Sequence, residues 1–187
     1  TVSQEQQRYA QKLCAGLPVE IRLQDYRDVE DKFDRVFSIG MYEHVGKKNW
    51  KTYMQTSRHL LKPGGWALLH TIGLTKSSGR PDPWIAKYIF PNSLLPDQRE
   101  LAEAIDGEFV IEDWHNFGPD YDKTLMAWHE RFEEAWPRLA DKYGKKFCRM
   151  WRYYLLSCAG GFRSRTVQLW QLVLSPDGIK ADWQIPR

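Results

Sequence analysis

The apolar and polar positions of this chain switch between a period of two and a period near 3.6, and the switches mark its elements. Ser3 and Gln6 form an S-x-x-Q capping box, opening a helix that runs to Leu13 and stops at Gly16. Val19, Ile21 and Leu23 alternate with polar neighbours, which predicts a strand ending at Gln24, Asp25 and Tyr26. Phe33–Ile39 (FDRVFSI), rich in β-branched and aromatic residues and closed by Gly40, predicts a buried strand. From about Lys47 to Leu61 the pattern is helical, with Trp50, Met54, Ser57 and Leu61 on one face, until Lys62-Pro63-Gly64-Gly65 breaks it. Trp66–Ile72 (WALLHTI) predicts the next strand, with His70 near its end.

Farther along, Asp82–Ile89 predicts a short helix and Leu95–Ile105 another, started by Pro96 and Asp97; Glu108–Phe117 alternates as a strand. Two long helices follow, Tyr121–Tyr143 and Lys145–Phe162, the first expected to kink or split at Pro137. Thr166–Leu174 predicts the last strand, and the tail after Ser175 reads as loose. The α-β-β-α-β order of the first half, with short links, predicts a parallel sheet with crossover helices, an α/β layout of Rossmann-like type. No G-x-G-x-x-G or P-loop occurs, so a nucleotide site on this sheet would take its first strand and glycine turn from upstream of Thr1. The chain starts at Thr1 without Met, directly in structured-looking sequence, and reads as an excerpt of something longer.

Composition narrows the class. The 187 residues suffice for one domain with a core, and 42% hydrophobic with 27% charged residues is ordinary for a soluble globular chain. A net charge of +3 is too mild to argue for nucleic acid. No run has the length of a transmembrane helix, and no signal peptide is visible. Cys14, Cys148 and Cys158 are odd in number and form no C-x-x-C pair, which speaks against a disulfide framework or zinc site and for a reducing compartment. The 9 Trp and 9 Tyr are many, and suit a large apolar pocket, a membrane-facing surface or plain core.

Several residues then stand out as candidate chemistry. Glu43 and His44 lie just past the carboxyl end of the 33–39 strand, where open α/β sheets bind ligands; a solvated loop carboxylate is the plain alternative. His70 at a neighbouring strand end is either part of that site or a satisfied core histidine. Phe147, Trp151, Tyr154 and Cys158, spaced four, three and four apart, make an apolar stripe that serves equally as core or as a lipid slot. Lys145, Arg149 and Arg152 share a helix face, with Arg163 and Arg165 following, either a solvated face or an attraction for anionic headgroups. Glu43 with His44, His70 and His115 would offer the ligand types of a non-haem iron enzyme acting on lipids. A third reading is a fragment that only binds lipid or assembles.

Seven motifs occur in order: Ser38–Gly46 (SIGMYEHVG), Lys62–Gly65 (KPGG), Leu68–Gly73 (LLHTIG), Lys87–Asn92 (KYIFPN), Glu112–Gly118 (EDWHNFG), Tyr121–Trp128 (YDKTLMAW) and Cys158–Phe162 (CAGGF). Together they closely resemble the cyclopropane-fatty-acyl-phospholipid synthases, relatives of the mycolic acid cyclopropane synthases, over nearly all of the chain. The resemblance implies the class I S-adenosylmethionine-dependent methyltransferase fold, Rossmann-like, with a mixed, mostly parallel sheet whose last strands form an antiparallel pair. It implies that residues 1–187 are the carboxyl-terminal part of one catalytic domain, lacking its first strand and Gly-rich loop, with a helical lipid-pocket insertion at about 119–165.

The same resemblance implies an activity and a site. The family transfers the methyl of S-adenosylmethionine to the cis double bond of an unsaturated acyl chain of a membrane phospholipid and closes a cyclopropane ring, with bound bicarbonate as base. The base site would fall on Glu43, His70 and Tyr121, with the Ile72 backbone adjoining and Cys158 as the motif cysteine. Cofactor contacts would fall on Thr1, Val2, Ser3 and Gln6 near the ribose, on Asp25, Tyr26 and Arg27 at the adenine, and on Ile39 beside the methionine portion. No metal is implied. The expected partners are a phospholipid, a membrane surface met peripherally and the missing N-terminal part of the same protein; a homo-oligomer is compatible with this, and no nucleic acid is expected. The expected place is the bacterial cytoplasm, peripheral to the inner membrane. These assignments suit the chemistry, because an alkene is a poor nucleophile that must be held against the methyl in a dry slot. A buried Glu needs hydrogen-bonded company, and a carboxylate beside bicarbonate implies a shared proton.

Overall fold

Four strands form one sheet in the computed structural model of the chain, which describes residues 1–77 and 79–180. They are β1 (Phe33–Ile39), β2 (Leu61–Leu74), β3 (Val110–Asn116) and β4 (Val167–Ser175), in the spatial order β1-β2-β4-β3. β1 and β2 are parallel, whereas β2 with β4 and β4 with β3 are antiparallel. The sheet is mixed and ends in the expected antiparallel pair. Its parallel share among the described residues is one pairing of three, less than the mostly parallel sheet expected.

The shortfall comes from residues 19–24, which form no strand. Alternation can mark a face but cannot supply a partner. Thr1 and the Gln7 side chain reach this stretch: Gln7 Nε2 donates to the Ile21 carbonyl at 3.4 Å, while the Thr1 amino group donates to the Arg22 carbonyl at 3.1 Å and the Thr1 carbonyl accepts from Gln24 N–H at 3.0 Å. That is the bond pattern of a parallel ladder one residue long, centred on Leu23. β1, expected to be buried, is therefore a sheet edge, with Phe37 61% and Ile39 70% exposed.

The helices are α1 (Gln4–Leu13), α2 (Trp50–His59), α3 (Pro83–Tyr88), α4 (Gln98–Ile105) and α5 (Gly118–Arg163). Only half of the expected capping box of α1 forms. Ser3 Oγ accepts from Gln6 N–H at 3.3 Å, but the Gln6 side chain takes the Thr1 hydroxyl, and Ser3 N–H donates to that same hydroxyl. One core cluster joins Trp50, Tyr53 and Met54 of α2 and Leu101 of α4 to Ala67, Leu69, Trp170 and Leu172 of the sheet. A second joins Leu125, Phe132, Cys148 and Leu155 of α5 to Leu169, with Ile72 packed against it. The helix expected over 47–61 is shorter, Trp50–His59, and it stops before Lys62-Pro63-Gly64-Gly65, which lies inside β2 rather than breaking the helix.

α5 folds back on itself at Gly144, whose φ of 72° and ψ of 165° leave the helical region, and not at Pro137, where the backbone stays helical. Proline's fixed φ suits a helix, and Pro137 lies on the exposed side, where the lost hydrogen bond is least costly. Only glycine adopts the reversed conformation freely. Arg152 forks onto Glu133, and Arg163 onto Asp122 at 2.9 and 3.0 Å, clipping the two halves together. So Arg152, Arg163 and also Arg165, which bonds Gln168, are not part of a free basic face. The start of the tail is anchored rather than loose: Ile179 N–H donates to Glu112 and Arg58 to the Pro176 carbonyl. The rest of that expectation, at 181–187, lies outside the described residues.

Candidate active site

The site is built just past the end of β1 and beside residues 70–72 of β2, which runs on to Leu74. Gly40, at φ 63°, turns the chain out of β1 while its N–H donates to the His70 carbonyl at 2.9 Å. The single 3-10 turn Tyr42–His44 that follows carries Glu43 inward. Aromatic packing and a backbone bond hold that turn, and an ion pair anchors the segment just after it. Tyr42, fully buried, stacks on Trp50 at 5.3 Å and meets Tyr53 edge-on at 5.1 Å. Leu94 N–H donates to the Glu43 carbonyl at 2.9 Å. Lys47 pairs with the buried Glu100, which also closes the capping box of α4 with Asp97.

Glu43 is only 4% exposed. Its Oε1 accepts from Ile72 N–H at 2.7 Å, and its Oε2 is buried with no partner among the described residues. A buried carboxylate oxygen without a donor costs free energy, so such a group is held in place by the surrounding structure and is a ready acceptor. His70 and Ile72, two apart on β2, share a face of the sheet beside it. Burial pulls the His70 imidazole below its ordinary range and the Glu43 charge pushes it back up; Gln171 Nε2 lies 3.5 Å from its Nδ1. Tyr121, near the start of α5, is half-buried; burial raises its phenol, and Cys158 and Glu43 act in the same direction. Glu43, His70, Ile72 and Tyr121, named from the sequence, thus come together.

A cavity of about 350 Å³ opens beside them, lined by Ile72 and Tyr121 themselves and by apolar groups of α3, the 89–95 loop and α5, among them Trp84, Phe90, Leu125 and Tyr154. Of the predicted stripe, Tyr154 and Cys158 face this cavity, while Phe147 and Trp151 stack on each other at 5.8 Å in the hairpin core. The stripe serves both readings. Burial pushes the Cys158 thiol up to about 11, so it presents a protonated wall rather than a nucleophile. Trp84, Ile85 and Phe90 escaped individual notice in the sequence. Their signal was the Lys87–Asn92 motif, attached to a helix too short to show a period.

A second, open cavity lies on the β1 side, about 1110 Å³, lined by Thr1, Val2, Gln6, Asp25, Tyr26 and Arg27 among others. Six of the eight expected cofactor residues meet there. Ser3 instead caps α1, and Ile39 points out from the β1 edge while its successors Gly40 and Met41 line the cavity. Asp25 is engaged by Arg27 through a fork of 2.9 and 2.8 Å, which holds its carboxyl down at about 2. The Tyr26 ring and the polar groups around it suit the edge of a nucleoside, so these residues fit one rim of a cofactor site.

The iron arrangement does not form. His44 is exposed, lines the other cavity and packs on Phe90 at 5.6 Å. His70 and His115 both register with Gln171, from opposite sides, so two strand spacings of about 4.8 Å separate their backbones. Among the described residues no group of three or more His, Cys, Asp or Glu is placed to hold a metal.

This geometry, a mixed sheet with an antiparallel end, a carboxylate at the strand ends and an open cavity beside it, defines a methyltransferase-type fold. Structures of the cyclopropane synthase MmaA2 from Mycobacterium tuberculosis and of the mycolic acid cyclopropane synthase CmaA1 complexed with SAH and CTAB share it, with TM-scores of 0.84 and 0.82. Both are 24% identical, and the match covers 93% of this chain and 67% of each. The family profile described as mycolic acid cyclopropane synthetase matches residues 1–172. The chain belongs to that family. It is 58% identical over 175 residues to the cyclopropane-fatty-acyl-phospholipid synthase of Escherichia coli K12, covering 94% of this chain and 46% of that protein. It is 36% identical over 190 residues to the tuberculostearic acid methyltransferase UfaA1 of M. tuberculosis, covering 95% and 44%. The chain spans about half the length of the curated relatives it matches.

Proposed function

We propose that this chain is the catalytic portion of a bacterial cyclopropane-fatty-acyl-phospholipid synthase, which methylates the cis double bond of a phospholipid acyl chain and closes it to a cyclopropane. The observation that carries the reading is that Ile72 and Tyr121 belong at once to the Glu43 site and to the apolar cavity. An alkene lying in that cavity ends beside a buried carboxylate. The cavity excludes water from a cationic reaction centre, and holding reactants so can supply about 7–11 kcal/mol of the barrier. S-adenosylmethionine, when bound at the rim formed by Thr1, Val2, Gln6, Asp25, Tyr26 and Arg27, supplies the electrophilic methyl.

Bicarbonate fits the base site by its chemistry. The partnerless Oε2 of Glu43 needs a donor, which a hydrogencarbonate O–H is, and Tyr121 and His70 offer further polar contacts. The group would supply a proton acceptor there. Glu43 offsets positive charge developing above it, and Ile72 N–H, engaged by Glu43, fixes the carboxylate rather than the anion. Cys158 contributes wall.

In the same reading the upstream half, present in relatives of twice this length, completes the open cofactor rim and covers the β1 edge. The enzyme works in the cytoplasm against the inner membrane, and no described helix is long and apolar enough to cross one. The test is to incubate the full-length protein with S-adenosylmethionine and vesicles of a cis-unsaturated phospholipid, then analyse the acyl methyl esters by mass spectrometry. A product heavier by one CH₂ that resists mild hydrogenation at the former double bond supports the reading. A methyl-branched product would mean methylation without ring closure, and acyl esters of unchanged mass would overturn it.

A further inference from the structure

The outward stripe of the second half of α5 changes character along its length. Lys145, Lys146 and Arg149 give way to Tyr153 and Leu156, all exposed and spaced to lie on one side of the helix. Arg152, between them, turns away to Glu133. Tyr153 is 55% exposed, yet it lines the acyl cavity together with Trp84, which it meets edge-on at 4.5 Å. Trp84 in turn touches Tyr88 at 5.4 Å, and the Lys87 ammonium stands 5.2 Å over the Tyr88 ring. The opening of the cavity is thus rimmed by aromatic groups and flanked by cations. Among the described residues no ion pair involves Lys145, Lys146 or Arg149, and Asp82 at the rim is engaged in capping α3 at Trp84 and Ile85 N–H.

We infer that this rim is the surface on which the protein docks to an anionic phospholipid bilayer, the basic stripe meeting headgroup phosphates while Tyr153, Trp84 and Tyr88 sit at the headgroup level. The inference rests on the acyl-slot reading above. Tyr and Trp favour the interface because their rings are apolar and their tips polar. A basic side chain near an anionic surface strengthens binding about fivefold. A bilayer accounts for what a protein partner leaves unexplained: exposed Tyr153 and its neighbour Trp84 line an apolar cavity, where an acyl chain leaving its leaflet would enter without crossing water.

The test uses the full-length protein and vesicles of phosphatidylcholine with and without phosphatidylglycerol. Phosphatidylglycerol should strengthen partitioning, and added salt should weaken it. The triple variant Lys145→Gln, Lys146→Gln, Arg149→Gln should bind the anionic vesicles roughly a hundredfold more weakly, at an unchanged unfolding midpoint. Equal binding by parent and variant, or no gain from phosphatidylglycerol, overturns the surface. Labelled oleate, titrated below its micelle concentration, separates the two readings. If oleate fails to enter the cavity of the parent, the slot is wrong and the docking mechanism falls with it, whatever the vesicles show. If oleate binds but no vesicle dependence on headgroup charge appears, the slot stands and the surface is overturned.

Discussion

The Ile72 amide donates to Glu43 Oε1 at 2.7 Å, while the other oxygen of that carboxylate is buried without a partner among the described residues. The two oxygens are therefore separable by mutation. In Glu43→Gln the amide oxygen can keep the Ile72 bond, but an NH₂ donor replaces the free acceptor and the negative charge is gone. The turn should hold its shape. Loss of one such electrostatic group typically costs about 2.7–4 kcal/mol, so turnover of the full-length enzyme should fall a hundred- to thousandfold with cofactor affinity nearly unchanged. Tyr121→Phe should act in the same direction, and the double variant should lose less than the summed singles because both groups serve one site. Paired turnover and cofactor titrations decide it: near-normal turnover, or a defect wholly in cofactor affinity, removes Glu43 from the base site.

His70 gives the site a pH signature. Burial outweighs the pull of Glu43, so the folded pKa lies below the unfolded value of about 6.5. The unfolded chain then binds the proton more readily. The contribution is fully present above the unfolded value and is lost as pH falls through the folded one. Between about pH 7 and pH 5 the parent should lose stability faster than His70→Gln, measured as denaturant midpoints. An imidazole titrating above 6.5 by NMR would reverse the sign and contradict the geometry.

What the sequence made legible follows from what each signal depends on. Glu43 just past β1 was legible because 33–39 is a local pattern, whereas His70, expected near a strand end, lies four residues inside β2, which runs on to Leu74; the motifs named Ile72 and Tyr121 beside them. Residues 19–24 were misread because alternation says nothing about a partner, and what faces them is Thr1 and the Gln7 side chain rather than a strand. The break between the expected helices 121–143 and 145–162 falls where Gly144 reverses the chain, whereas the kink expected at Pro137 is absent, because a helix tolerates proline on its exposed side. Arg152 looked free on its helix, since the Glu133 that claims it sits 19 residues away across the hairpin. The cavity was half visible: its α5 wall had a period, whereas α3, six residues long, had none.

Gly73 and Trp170 make the next expectation. Trp170 is fully buried in β4, and a Cβ on Gly73 would stand 2.0 Å from its ring. Neither strand nor indole has room to yield, so Gly73→Ala should destabilise at or beyond the upper end of the about 1–3 kcal/mol usual for overpacking. Gly160, in α5 with open space at its Cβ, is the control, and Gly160→Ala should be neutral or stabilising by up to about 1 kcal/mol. Urea midpoints at an unchanged slope would measure both. Partial rescue of Gly73→Ala by Trp170→Leu would tie the cost to the ring.

The β1 edge sets the behaviour of the 187-residue chain by itself. Its outer hydrogen-bonding side has no strand among the described residues, and Phe33, Phe37 and Ile39 stay exposed along it. Among the described residues the ring contact of Phe37 is with the half-buried Trp66, at 6.0 Å, and α1 buries none of its residues. A flat apolar edge of this kind pairs readily with another chain. The isolated 1–187 chain should therefore associate at micromolar concentration in sedimentation experiments, and Phe37→Lys should shift it toward monomer by placing a charge on the edge. The same open side should leave S-adenosylmethionine binding by calorimetry weak or absent, because only one rim of the site is built and no glycine turn allows close backbone approach. A monodisperse, cooperatively melting monomer that binds the cofactor with micromolar affinity would show that the edge is closed in solution and the rim sufficient.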